Sequence, residues 1–254
     1  MPARVRDNRA PQLSYYQRTT ASHRRFIGIG LPIVALALPA TAQRPVTSPI
    51  IDLVVAHSNA PPRQYRALRR LDAQSDRLGN SAWIEAWTDV APGKGFTYKI
   101  VGEGGSGFVR GKVLRPWLDH EKKMWTAGDP ERASLTHENY AFADKGLTPD
   151  GLAWLSVKSR RKDLLLVDGS IYVNAEDGDL VRIEGRLTKT PSFWTRRVEV
   201  VRHYQRINGV HVPVAIESIA NVLIAGRSTF KMIYEYETIN DQRVGTPQPR
   251  TSTP

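Results

Sequence analysis

No cysteine occurs in this chain, which excludes disulfides, thiolate-bound zinc and a cysteine nucleophile together. Long apolar runs are scarce too. The most extended, Phe26 to Leu38, is short of the roughly 20 residues that a membrane-spanning helix needs. Although the formal net charge is +11, no dense basic run interleaved with aromatics is present, and nucleic acid is not read as a partner. Residues 1–42 hold six Arg against one Asp, so the remainder carries 30 basic and 24 acidic residues, distributed along the chain. The six His lack metal-ligand spacing. His203 and His211 flank an Asn208-Gly209 turn that should bring them near each other as surface residues. No metal and no cofactor are expected.

Catalytic signatures are missing as well. No G-x-S-x-G elbow frames a serine, and Ser106 in "GGSG" reads as a helix entry. Glu176, Asp177 and Asp179 cluster as paired acids or calcium ligands do, but an Asp-Gly hairpin tip is ordinarily turn chemistry. The chain is therefore not read as an enzyme.

What is present begins with an export signal. Arg24 and Arg25 precede the apolar run, and Ala40-Thr41-Ala42 follows it. A basic region, a short apolar region and an Ala-x-Ala site make up a secretory signal peptide, with cleavage between Ala42 and Gln43. The segment before the apolar run is unusually long, which leaves open a start downstream of Met1. Retention of the run as a membrane anchor is the alternative. The expected organisation is a signal peptide over 1–42, a linker over 43–60, one domain over 61–240 and a loose Pro-, Ser- and Thr-rich tail over 241–254. The expected compartment is the periplasm.

Two segments read as helix. In residues 61–79, Tyr65, Leu68 and Leu71 recur at a spacing of three, ahead of Gly79. In residues 107–125, Phe108, Leu114, Trp117, Leu118 and Trp125 share a stripe, Ser106 suits the N-cap, and Gly111 and Pro116 predict a break or a late start.

Almost all the rest alternates with period two, the mark of half-buried strands. Strands are predicted over 81–90, 96–103, 139–143, 152–158, 163–167 and 170–174, with turns at Asp168-Gly169 and Asp177-Gly178. Val181, Ile183 and Leu187 face away from Arg182, Glu184 and Arg186, with Gly185 at a bend. Val198, Val200 and Tyr204 continue the pattern, then Val210 to Ile216 after Asn208-Gly209. Phe230, Met232, Tyr234 and Tyr236 follow a turn at Ala225-Gly226. The fold class is mainly β, of α+β type. Consecutive hairpins this numerous build a large antiparallel sheet that must curl, here into a half-open barrel with helices on its concave face.

An exported start, "GEGGSGFVRGKVLRPWLDHE" between early and late strands, "YVNAEDGDLVRIEG", and "KTPSFWTRRVEVVRHYQRINGVHVP" leading into "FKMIYEYETIN" together resemble the LolA-like family of periplasmic lipoprotein-sorting carriers. The resemblance spans roughly residues 60–240. It implies a half-barrel with a helical lid over an apolar space that holds acyl chains. The arginine that locks the lid in those carriers cannot be assigned to a single Arg here.

Trp83, Trp87, Tyr98, Phe108, Leu114, Trp117, Leu118, Phe193 and Trp194 form the candidate ligand-binding set, as large apolar groups on strands and lid. The alternative is that they only fill the core. Pro191 cannot donate to a strand ladder, which places Phe193 and Trp194 at a rim. The expected function is a monomeric, non-enzymatic binder or carrier of a hydrophobic ligand, a lipid or acyl chain. The alternative is an interaction or sensing module that shows the same surface to an envelope membrane protein.

Overall fold

The computed structural model describes residues 48–57, 62–77, 79–126, 130–191, 195–223 and 225–245. The signal segment, most of the tail, and Phe193 and Trp194 lie outside the described residues. Among the described residues, eleven antiparallel strands form one sheet. In chain order they are β1 (Tyr65–Ser75), β2 (Asn80–Ala91), β3 (Gly95–Gly105), β4 (Tyr140–Leu147), β5 (Leu152–Ser159), β6 (Val167–Asn174), β7 (Leu180–Leu187), β8 (Thr195–Ile207), β9 (Val210–Val222), β10 (Gly226–Ile239) and β11 (Gln242–Arg243). Across the sheet the order is β3-β2-β1-β10-β9-β8-β7-β6-β5-β4, with β11 paired to β10. The strands from β4 to β10 are neighbours in sequence and in space, as consecutive hairpins require. The sheet does not close, because β3 and β4 end it on either side.

Residues 65–75 form strand β1, not the helix that the leucine spacing predicts. Tyr65, Ala67, Arg69, Leu71, Ala73 and Ser75 are all buried, and the residues between them are not. This is a period of two that a charged residue in the middle disguises. Arg69 is inward-facing and 1% exposed, so a pattern scored on apolar residues alone misses the strand.

Asp168 and Gly169 also depart from expectation. They lie within β6, and residues 163–166 are not strand. Gly169 opposes Gly185 of β7, and a Cβ on Gly169 would come within 2.1 Å of the Glu184 carbonyl oxygen. This glycine serves close strand approach rather than a turn. The Asn208-Gly209 turn is as expected, with φ of 50° and 76° suiting a tight primed hairpin. His203 pairs with Ala215, however, and His211 with Arg206, so the hairpin does not oppose the two histidines.

The first helix is α1 (Pro49–Ala56), within the segment read as linker. Eight residues are too few to show helical periodicity, but Ile51 and Val54 are buried in the core. Gly178, in the β6–β7 turn, lies beneath this helix, and a Cβ there would meet Leu53 Cβ at 2.9 Å. The second helical run spans 107–126 in three parts, namely α2 (Gly107–Val109), a π-turn (Arg110–Leu114) and α3 (Arg115–Thr126). Ser106 caps it by accepting the Val109 N–H. The predicted break takes the form of the π-turn. Pro116 has no N–H to give one turn back, and the Arg115 N–H reaches five residues back to the Arg110 carbonyl.

Candidate functional site

The inner face of β1 and its neighbours carries Arg69 amid small and aromatic residues. Arg69 sits between Ala86 of β2 and Tyr234 of β10. Ala67 and Ala86, both fully buried, leave room for the guanidinium. Its carbon lies 4.4 Å from the Tyr234 ring centroid, 5.1 Å from Phe96 and 5.7 Å from Tyr65, within cation–π range of all three.

The counterion comes from the helix. Arg69 Nη1 donates to Glu121 Oε2 at 2.6 Å and Nη2 to Glu121 Oε1 at 3.0 Å, the bidentate geometry that guanidinium and carboxylate favour. Nη2 also donates to the Tyr65 hydroxyl. Arg69 Nε is buried without a hydrogen-bond partner. Burial alone would make Arg69 easier to deprotonate, but Glu121, with Tyr65 and Tyr234, outweighs it and holds the guanidinium above its ordinary value. Burial pushes the Tyr65 and Tyr234 hydroxyls up, against the pull of Arg69.

The helix reaches this point because of its π-turn. Val109, Leu114 and Leu118 are buried, and Glu121 is 17% exposed. Val109 and Leu114 are five residues apart, which an uninterrupted α-helix would not place on one face. On the β3 side, Tyr98 donates to Asp119 Oδ1 at 2.7 Å, and Arg115 donates to Glu103 Oε2 at 2.6 Å. Burial, followed by that bond to Asp119, pushes the Tyr98 hydroxyl up to about 12. On the β10 side the Trp117 ring lies over Phe230, with centroids 4.7 Å apart. Trp117 is 40% and Phe108 61% exposed.

Of the sequence-derived candidates, Tyr98, Leu114, Trp117 and Leu118 therefore meet around the cover, and Phe108 stands exposed on it. Trp83 and Trp87 do not join them. On β2 the inward residues are Ala82, Ile84, Ala86, Thr88 and Val90, all buried, and the two tryptophans alternate to the other face. There Arg70 lies 4.8 Å from the Trp83 ring and Arg66 4.6 Å from the Trp87 ring. Trp83 rests over Gly102 and Gly104, where an added Cβ would come within 3.2 Å and 2.6 Å of it. The reason is parity: on β2 the even-numbered positions face inward, and the two tryptophans occupy odd ones.

The outer face also holds a concavity of about 760 Å³, lined by Trp83, Asp72, Lys231, Glu217, Glu199 and Ile219 among others. A shallower one, about 500 Å³, lies along the outside of α3. The trough beneath the helix is filled by Leu114, Leu118 and the Arg69–Glu121 pair. Neither Arg69 nor Glu121 stands out in the sequence, where Arg69 is one basic residue among many. Its legible signal is a charged residue at an inward position of an otherwise small and apolar alternation.

No protein-family model and no curated protein matches the chain. Among solved structures it is similar to a DUF1329 family protein from Desulfovibrio piger, at 7% identity and a TM-score of 0.35, covering 79% of this chain and 93% of that one. It is also similar to a LolA superfamily protein from Nitrosomonas europaea, at 10% identity and a TM-score of 0.32, covering 73% of this chain and 90% of that one. Neither likeness is near enough to carry a function across.

Proposed function

We propose that this chain is an exported, non-enzymatic binder or carrier of a hydrophobic, lipid-like ligand held between helix 107–126 and the concave face. One observation carries the reading. The cover over a trough lined by Leu71, Ile84, Phe96, Phe230 and Met232 is centred on a single ion pair, Arg69–Glu121. Lifting the helix would bare a contiguous apolar surface, which a soluble protein keeps covered. Tyr98, Phe108, Leu114, Trp117 and Leu118 would contact the ligand, and Phe193 and Trp194 remain in the set on sequence grounds. The signal segment 1–42, cut between Ala42 and Gln43, would deliver the chain to the periplasm.

The test compares unfolding and uptake of a fluorescent fatty-acid probe for Trp117→Ala and Leu118→Ala. Leu118 is fully buried, and its truncation should cost about 2–5 kcal/mol. Trp117→Ala should cost less than the roughly 3–5 kcal/mol of a core tryptophan, yet weaken probe binding more than its stability loss explains. An unmodified protein that takes up no probe would remove the reading.

A second reading, an interaction module, is favoured by the outer-face concavity around Trp83. In that case a ligand-free protein should be captured with an envelope membrane partner, and Glu217→Lys on that face should abolish capture without altering probe uptake.

A further inference from the structure

The Arg69 pocket restricts the kind of ligand that could enter the trough. Arg69 is the one buried cation among the described residues, and its counterion sits on the element that must move. Its aromatic surround of Tyr65, Phe96 and Tyr234 belongs to the sheet and stays behind. A neutral apolar ligand that displaced the helix would leave a guanidinium beneath it with no anion. An uncompensated buried charge is strongly unfavourable. A ligand that brings its own carboxylate would replace Glu121 with its equivalent. The unpartnered Nε offers a further donor beside the two already used, so an incoming head group finds at least as many N–H groups as Glu121 does.

We propose that Arg69 is the head-group site of the trough, which takes an amphiphile with a single carboxylate, such as a free fatty acid, in exchange for Glu121. The tail then lies where Leu114 and Leu118 now pack. Glu121 acts as an internal competitor that fills the site when no ligand is present. This rests on the reading of the trough as a hydrophobic binding site and adds the chemistry of the head group.

The measurement is binding of dansyl-undecanoic acid and of its methyl ester to the full mature chain, followed by fluorescence. The acid should bind at least about tenfold tighter than the ester, a difference of one order in the equilibrium constant. Glu121→Gln, which removes the anion that either probe must displace, should tighten both probes and leave the acid the preferred one, because the guanidinium remains. Arg69→Met should abolish the preference. Should Arg69→Met fail to fold, the Glu121→Gln comparison decides alone, since it retains the guanidinium. Acetate at the probe's concentration should not compete, because the anion without a tail gains nothing from the trough. Equal binding of acid and ester, or no gain in Glu121→Gln, would overturn the head-group assignment and leave the hydrophobic site standing. Absence of binding by either probe would instead remove the hydrophobic site itself, and this assignment with it.

Discussion

Removing the Arg69 side chain should cost more than its single ion pair suggests, because Glu121, 17% exposed, would be left without its partner. Breaking a buried pair from one side typically costs about 3–5 kcal/mol, whereas replacing both partners by apolar groups is often neutral. Arg69→Ala should therefore be destabilised by roughly that amount in chemical denaturation, and Arg69→Met with Glu121→Leu should recover most of it. Recovery would show that the pair is kept for something other than stability; no recovery would make it a structural pair. A second charged cluster is purely structural by its geometry. Arg206 donates to both oxygens of Asp179 in the β6–β7 turn, and His211 Nε2 lies 2.9 Å from Oδ1. The Arg206 bond, against some burial and helped by His211, holds the Asp179 carboxyl down at about 2. A carboxyl depressed on folding stabilises the fold fully above its unfolded value, near about 4, and loses that contribution as pH falls towards 2. In Arg206→Ala, Asp179 should titrate closer to its unfolded value and acid unfolding should begin at higher pH. A carboxyl titration by NMR that does not move would refute the assignment.

Elements were legible in the sequence to the degree that their burial pattern was apolar. The strands β2, β3, β5 and β10 announce themselves by alternation, and the helix at 107 by Ser106, its cap. β1 was hidden by Arg69, the residue around which the candidate site is built. The helix α1 was hidden by its length, and the start of β6 by an Asp-Gly pair whose glycine meets another strand rather than a turn. Parity, rather than size, decided which strand aromatics faced the cover: Tyr98 does, Trp83 and Trp87 do not. The π-turn was legible only as a disturbance at Gly111 and Pro116, because no hydrophobicity pattern reports that five residues have replaced four. Gly111 tests what that turn needs. A Cβ there would meet nothing within 4 Å and its φ is not positive. Gly111→Ala should therefore stabilise by about 0.5–1 kcal/mol, the gain expected in a helix interior, read as a rise in the unfolding midpoint. A loss instead would mean that the turn depends on glycine's freedom.

At the scale of the whole molecule, the sheet consists of two runs of hairpins, β1–β3 before the helix and β4–β10 after it. They are joined where β10 returns to β1. That seam is eleven residue pairs long and places Met232 against Leu71, Phe230 against Ala73 and Tyr234 against Arg69, all on the face beneath the helix. Because the same pairing both completes the sheet and forms the trough, sheet and cover should unfold together, although the contacts across the seam are the most distant in sequence. Native-state hydrogen exchange checks this. Amides in the middle of β1 and β10 should be among the slowest, opening only with global unfolding, while those of the terminal strands β3 and β4 exchange through local fraying. Met232→Ala removes a fully buried side chain from the seam and should cost about 2–5 kcal/mol. It should lower the protection of β1 and of β8–β9 by the same amount. If β1–β3 instead lost protection while β5–β9 kept theirs, the seam would be a boundary between two separately stable units. The trough would then open by parting the strands rather than by lifting the helix.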